Sequence, residues 1–569
     1  MNYLEKYNEW CTSSIFDEDT KNELKNLKNE NEIKDRFYKN LEFGTAGLRG
    51  IIGAGTNRMN KYTVTQATQG LANYIKKNHG ENKGVAIAYD SRNMSIEFSK
   101  WTALCLNANG IKTYRFESLR PTPELSFALR HLGCIAGIVI TASHNPAEYN
   151  GYKVYWEDGA QIVAPVDKEI MNEVKAVTDF SEIKDITLED AKKSGLYNEI
   201  GEEVDNAYID ELKKLVLNED IIRKVQKDLK IVYTPLHGTG NLPVQRILKE
   251  IGFENVYVVP EQEKPDGNFS TVTYPNPEDK KAFALALDWA HKVDADIVLA
   301  TDPDADRLGI YAKDTKTGEY MSFTGNMSAL LIAEYELSQK KAKGILPQNG
   351  ALITTIVSSN MASAIAKEYD VKLIEVLTGF KYIGEQIKLF EKTKENEYVF
   401  GFEESYGYLA GEFVRDKDAV IASMLIAEMT LYYKEQGKSL YEALIELYNR
   451  IGFFKEDLIS IELKGKEGQE KISKCLDLLR ETALTEVDGV KVATRLDYKL
   501  SKEENLENNT EFVINLPKSN VLKYILADGS SFVVRPSGTE PKIKFYIATV
   551  GESEADAKEK IANIEAEIN

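Results

Sequence analysis

The 569-residue sequence predicts an α/β protein: three similar α/β domains with mixed sheets, followed by a C-terminal α+β domain. Three observations carry this. Short apolar, partly β-branched runs alternate with stretches of helical spacing, the pattern of strands and helices in α/β units. Each run leads into a polar or glycine-containing loop, as expected at the carboxyl ends of strands. After about residue 450 the character changes, with a strand around residues 458–463 and a closing helix from Glu552 onward.

In chain order, helical spacing falls on residues 60–80 and 93–109, and buried strands on 84–89 and 134–140. The second cycle has a strand at 229–233 ahead of His237-Gly238-Thr239-Gly240, and another at 294–300. The third has a strand at 351–357 ahead of a helical run, and 531–534 and 543–547 read as two strands flanking a loop. A charged, apolar-poor stretch from about 176 to 205 ends the first domain, and residues 313–318 read as a turn near the end of the second. The resulting domains are 1–205, 206–320, 321–450 and 451–569. Length alone predicts about three to five.

A hydrophobic content of 43% and a charged content of 28% are those of a soluble globular enzyme. The formal charge of −19 argues against nucleic acid and against an anionic membrane as partners. A phosphorylated substrate then needs a local basic site inside a negative field, which Arg49, Lys153, Arg307, Lys381, Lys417, Arg535 and Lys544 can supply. The four cysteines, Cys11, Cys105, Cys134 and Cys475, form no C-x-x-C pair, which predicts a reducing compartment. With no apolar leader and no run of ~18 apolar residues, the expected location is the cytoplasm.

The most informative segment is Thr141-Ala142-Ser143-His144-Asn145-Pro146-Ala147-Glu148, set after the apolar run 134–140. A strand delivering Ser143 into a polar loop makes that hydroxyl a candidate nucleophile or phosphate carrier. No G-x-S-x-G elbow surrounds it, and in an extended backbone His144 points away from Ser143. A second strand runs into Asp302-Pro303-Asp304-Ala305-Asp306-Arg307. Three carboxylates alternating over five residues repel one another unless a cation neutralises them, which points to a hard divalent metal, Mg²⁺ first. An EF-hand needs Gly and Glu where this chain has Arg307 and Lys313. The loop Arg535-Pro536-Ser537-Gly538-Thr539-Glu540-Pro541-Lys542 offers a guanidinium, hydroxyls and backbone N–H groups near a glycine, the inventory of a phosphate site. Finally, Phe400-Gly401-Phe402-Glu403-Glu404-Ser405-Tyr406-Gly407 places a carboxylate and a hydroxyl at i and i+2, suited to adjacent sugar hydroxyls.

In this order and spacing, and with the opening Glu42-Phe43-Gly44-Thr45-Ala46-Gly47-Leu48-Arg49-Gly50, these segments resemble the α-D-phosphohexomutase superfamily over nearly the whole chain. The closest flavour is the longer bacterial phosphoglucomutase group that also looks like the phosphopentomutase branch. The resemblance implies four domains around a central active-site cleft, each giving it one loop. It implies an α-phosphoglucomutase that interconverts glucose 1-phosphate and glucose 6-phosphate through phospho-Ser143, with glucose 1,6-bisphosphate as intermediate and activator. One Mg²⁺ per chain would sit on Asp302, Asp304, Asp306 and a Ser143 phosphate oxygen.

The same resemblance assigns Arg49 and Arg307 to the transferring group, and Lys417 to general acid/base work with Lys153 and His144 as alternatives. Some bacterial relatives carry a histidine after the sugar-loop serine; here Tyr406, Gly407 and Tyr408 stand there, and that role does not carry over. Glu403 and Ser405, with Thr378, Gly379 and Lys381, would bind the sugar. Arg535, Ser537, Gly538, Thr539 and Lys544 would hold the non-transferring phosphate. Rival expectations are phosphomannomutase or phosphopentomutase activity, and, from another class, a catalytically silent phosphosugar-binding protein. The partners implied are small sugar phosphates, and nothing in the sequence sets an oligomeric state.

Overall fold

The computed structural model describes residues 2–41, 47–463, 465–482, 484–536 and 542–568. The chain opens with three short helices, Tyr3–Thr12, Glu18–Lys25 and Glu30–Phe37, that sequence reading did not resolve. The first is fixed by a capping box between Asn2 and Glu5, the second by the Asp17 carboxylate. They bury Trp10, Phe16 and Phe37 against Tyr62 and Phe180, so an aromatic cluster seals them onto the first domain.

The first sheet runs in the order Leu48–Ile51, Tyr149–Trp156, Ala136–Ile140, Val85–Tyr89, Thr113–Phe116, Tyr197–Ile200. Its last four strands are parallel, and Tyr149–Trp156 folds back antiparallel on Ala136–Ile140. The second sheet repeats the plan. Asn255–Val258, Lys230–Thr234 and Ile297–Thr301 are parallel, and Leu308–Lys313 returns antiparallel on Ile297–Thr301. The third does so again: Lys372–Val376, Gly350–Thr355 and Glu397–Glu403 are parallel, and Gly407–Ala410 returns on Glu397–Glu403. Strands such as Ala136–Ile140 and Ile297–Thr301 are buried along their whole length, as parallel strands covered on both faces must be.

The three expected α/β units therefore share one device, a parallel strand turned back by a hairpin. Each hairpin turn holds a non-glycine residue in the left-handed region: Ser143 at φ +52°, Ala305 at +50° and Tyr406 at +61°. The C-terminal sheet is instead antiparallel throughout, from Phe453–Glu462 through Lys542–Gly551 and Ser531–Pro536 to Thr510–Val513, and the helices Gly465–Glu481 and Glu554–Ile568 pack on it. That is the α+β region expected from the sequence.

Elements cross all three expected boundaries, the helix Leu440–Ile451 overrunning the last by one residue. The helix Glu202–Lys213 runs through residue 205, and the strand Tyr320–Phe323 extends the second sheet past 320. The helix Ala419–Glu435, apolar on all sides, is buried between the second and third sheets, which makes it an internal strut. Among the described residues no helix is long and apolar enough to cross a membrane. The four cysteines are free thiols.

Candidate active site

The strand Ala136–Ile140 delivers Ser143, 3% exposed, to the floor of the cleft. The Thr141 hydroxyl accepts the Ser143 N–H at 2.8 Å, which stabilises the tight turn. Because Ser143 is left-handed and not extended, the expectation that His144 points away from it fails: His144 Nδ1 lies 3.1 Å from Ser143 Oγ. Burial, helped by Arg307 and Arg49, holds the His144 imidazole well below its ordinary pKa and so neutral. On its other side Ser143 Oγ donates to Asp302 Oδ2 at 2.7 Å, across 159 residues of chain.

The turn after Ile297–Thr301 gathers Asp302, Asp304 and Asp306 with their ligand oxygens within 4.8 Å of one another. Asp302 Oδ1 accepts the N–H groups of Asp306 and Arg307, both at 3.1 Å. Asp304 Oδ2 accepts from Lys153 Nζ and from Thr122 Oγ1, each at 2.8 Å, and Asp306 Oδ2 lies 3.3 Å from both Lys153 and Lys417. Among the described residues the other oxygens, Asp304 Oδ1 and Asp306 Oδ1, are buried without a hydrogen-bond partner, and Arg307 Nε lies 3.7 Å from the latter. Burial, and the fields of Asp304 and Asp306, raise Asp302 well above the usual carboxylate range. Orphaned hard oxygens beside a destabilised carboxylate fit a divalent cation such as Mg²⁺, whose charge relieves both.

Lys417 lies inside this group. It is buried, with Nζ 3.2 Å from Asp416, 3.3 Å from Asp306 and 3.9 Å from Glu403. Burial works to lower its pKa, but these three carboxylates raise it above the ordinary value, so it is an ammonium. Lys153, between Asp304 and Asp306, is raised in the same balance. Glu403, 6% exposed, is pushed up by burial to about 7 against the pull of Lys417 and Arg307. Arg49 donates to Asn145 Oδ1 at 2.9 Å inside the serine loop. Arg307 pairs with Glu278 at 2.6 Å and lies 3.7 Å from Asp306.

Ser143, His144, Asp302, Asp304, Asp306, Lys153, Lys417, Glu403, Arg49 and Arg307 thus form one connected group. The other expected binding residues stand apart from its hydrogen bonds. Among the described residues Ser405 Oγ reaches only Glu404, at 3.5 Å, and Thr378 Oγ1 is buried without a hydrogen-bond partner; Gly379 turns at φ +120°; and the Lys381 ammonium lies 5.4 Å from the Tyr382 ring. A cleft of about 380 Å³ borders Ser405 and Tyr406 and is closed on its far side by Tyr546 of the C-terminal sheet. Arg535 lies over that tyrosine ring at 5.9 Å, with Lys544 opposite it in register. Ser537, Gly538 and Thr539 lie outside the described residues.

Residues 40–180, 206–317 and 324–451 match alpha/beta/alpha domains I, II and III of phosphoglucomutase/phosphomannomutase, and residues 478–568 match the C-terminal domain of that family. The chain belongs to the phosphoglucomutase/phosphomannomutase family, within the α-D-phosphohexomutase superfamily. It is 40% identical to a phosphoglucomutase of Staphylococcus haemolyticus over 90% of this chain and 91% of that one. It is 38% identical to one of Staphylococcus aureus over 93% of each. Its fold matches the crystal structure of the Paramecium phosphoglucomutase parafusin in its open form, with a TM-score of 0.69 at 18% identity over 93% of this chain and 94% of that chain. It also matches a phosphoglucomutase/phosphomannomutase family protein of Burkholderia thailandensis, with a TM-score of 0.65 at 18% identity over 92% and 96% of the two chains.

Within this phosphoglucomutase/phosphomannomutase framework, each of the first three matched segments contains one of the hairpin turns. Sequence reasoning missed Thr122, which braces Asp304, and Asp416, which takes the Tyr155 hydroxyl at 2.6 Å and steers Lys417. The one available signal was the pair of acids flanking Lys417 in Arg415-Asp416-Lys417-Asp418.

Proposed function

We propose that this chain is a phosphoglucomutase, an isomerase that interconverts α-D-glucose 1-phosphate and glucose 6-phosphate through phospho-Ser143 and glucose 1,6-bisphosphate, which also primes the enzyme. The observation that carries the reading is the Ser143 hydroxyl held 2.7 Å from Asp302, beside a three-aspartate cluster in which, among the described residues, two buried carboxylate oxygens have no hydrogen-bond partner. Curated relatives at 37–40% identity over most of this chain bear the name phosphoglucomutase, which supports it. One Mg²⁺ per chain, held by Asp302, Asp304, Asp306 and a Ser143 oxygen, would supply Lewis-acid polarisation of the phosphoryl group. Four domains with the boundaries 1–205, 206–320, 321–450 and 451–569 would each give the cleft one loop. A cytoplasmic setting accords with the free thiols.

Transfer within a single sugar ring cannot reach in-line geometry, so the group must rest on the protein between two half-reactions. When Ser143 Oγ attacks a phosphate of the bisphosphate, the new Oγ–P bond forms as the sugar O–P bond breaks. Neutral His144 takes the serine proton once the hydroxyl, which donates to Asp302 in the resting site, turns to its Nδ1, and the Lys417 ammonium gives one to the departing sugar oxygen. The reverse half-reaction on the other hydroxyl returns both protons. Lys153, Arg49 and Arg307 offset the negative charge gathered at the phosphorus. Glu403 and Ser405, with Thr378, Gly379 and Lys381, would bind the sugar hydroxyls, and Arg535, Ser537, Gly538, Thr539 and Lys544 the distal phosphate.

Intact-mass and peptide mass spectrometry after incubation with glucose 1,6-bisphosphate should find one phosphate on Ser143, and Ser143→Ala should lose both that phosphate and mutase turnover. Turnover surviving in Ser143→Ala would sink the reading. Side-by-side kcat/KM values for glucose, mannose and ribose 1-phosphates should favour glucose; a preference for another sugar would reassign the substrate.

A further inference from the structure

The segment Asp90-Ser91-Arg92 follows the central strand Val85–Tyr89 of the first sheet and has no part in the chemistry above. Arg92 is 3% exposed, and its guanidinium grips the backbone of the serine loop. Nη1 donates to the carbonyls of Pro146 at 2.8 Å and Tyr149 at 3.0 Å, while Nη2 donates to those of Ser143 and Asn145. One rigid fork thereby holds four carbonyls in seven residues. A lysine, with its three N–H groups on a single nitrogen, cannot span them.

The fork is itself fixed from two sides. Asp90 Oδ2 stands 3.5 Å from Nε, and Asp90 Oδ1 accepts the Arg92 N–H at 2.9 Å and the Ser95 hydroxyl at 2.8 Å. Across the domain boundary, the ring of Phe269 lies 4.9 Å from the guanidinium carbon. The loop bearing Phe269 is tied down by His237, whose Nδ1 meets the Lys264 carbonyl at 2.9 Å and whose Nε2 meets Thr271 Oγ1 at 2.8 Å. Two residues further on, the Thr239 N–H and hydroxyl both donate to the carbonyl of Pro303, at 2.8 and 2.9 Å, inside the metal loop. The His237-Gly238-Thr239-Gly240 turn therefore joins the metal loop to the cap over Arg92. Gly267 completes the contact, since a Cβ there would lie 2.5 Å from Asn93 Oδ1.

We propose that Arg92 is a positioning residue for phosphoryl transfer, and that with Phe269 it sets the register between Ser143 Oγ and the metal loop of the neighbouring domain. This rests on Ser143 being the phosphoryl carrier. A serine at φ +52° leaves that conformation unless its surroundings hold it, and Arg92 restrains its carbonyl while the Thr141 hydroxyl restrains its N–H. The guanidinium touches no reacting atom, so its loss should slow transfer without weakening sugar binding.

The test uses full-length Arg92→Lys, Phe269→Leu and the double variant. Arg92→Lys should lower kcat on the order of ten- to a hundred-fold with KM within about two-fold, as loss of an orienting group does. Deuterium exchange should quicken at amides 143–149 while the strand Ala136–Ile140 stays protected. Phe269→Leu should act in the same direction but less, and the double variant should lose less than the product of the two, because they serve one contact. Wild-type kcat in Arg92→Lys, or a purely KM effect with unchanged loop exchange, would overturn the assignment. If Arg92→Lys does not fold, Phe269→Leu decides alone: unchanged kcat and exchange there would also overturn it. Absence of phosphate on wild-type Ser143 would instead strike down the phosphoserine reading, and the exchange experiment would still say whether Arg92 holds the loop.

Discussion

Gly407 lies where a Cβ would come within 2.1 Å of Lys417 Cδ and 3.1 Å of Glu403 Cγ, so only glycine lets the lysine pass beneath the sugar loop. Gly407→Ala should displace Lys417 from Asp306 and Glu403 and lower kcat at least about ten-fold, read by steady-state kinetics, while the protein stays folded. Asp304 tests the metal. Asp304→Asn removes one anionic ligand yet keeps its shape, so Mg²⁺ affinity measured by calorimetry should fall by at least about ten-fold, and chelation should abolish wild-type turnover. Unaltered affinity in that variant would move the cation elsewhere. Ser143 and the aspartates were legible in the sequence because a hydroxyl in a strand-end loop and three alternating carboxylates declare their chemistry locally. Arg92 and Thr122 were not, since each acts only through a partner 51 or 182 positions away. The His144 reading failed for a related reason: the direction of a side chain depends on a backbone turn that residue type alone does not specify.

At the level of elements, the buried strands and the helices Lys61–Lys77 and Ser95–Ala108 fall where their spacing predicts, within two or three residues. The N-terminal helices escaped notice because their burial comes from Tyr62 and Phe180, far along the chain, and not from a strong stripe of their own. The strut helix Ala419–Glu435 carries a pH-sensitive feature. Glu428, 1% exposed, accepts the backbone N–H groups of Leu217 and Asn218 and the Tyr335 hydroxyl, and burial pushes it up to about 7. Its folded pKa is above the unfolded value, so the folded state holds the extra proton. The stabilisation this proton provides is complete below about pH 4.5 and is lost as pH rises towards 7, at up to about 1.4 kcal/mol per pH unit. Glu403 and Asp418 titrate near the same point and act in the same direction. Melting temperature should therefore fall as pH is raised from 5 to about 8, and Glu428→Gln should flatten that slope. An equal slope in the variant would remove Glu428 as a source.

On the scale of the whole molecule, the chain carries a charge of −19 yet buries several cations at its centre, each beside carboxylates. Arg92, Lys153 and Lys417 are each at most 9% exposed, so their field is felt in the cleft and masked outside. The proposed recognition residues are divided between domains. Removing Arg535 in the C-terminal domain should cost on the order of 2–3 kcal/mol, roughly thirty- to a hundred-and-fifty-fold in kcat/KM, for every sugar phosphate alike. Glu403→Gln in the third domain should instead change the ratio of kcat/KM between glucose and mannose or ribose substrates. If the two variants exchange these behaviours, the two loop assignments must be exchanged as well. The repeated hairpins carry one more consequence. The serine loop, the aspartate loop and the loop between Glu403 and Gly407 sit on the same kind of turn in three successive units, so each unit presents its polar loop beyond the carboxyl end of a parallel strand, and the three loops are copies of one architectural solution.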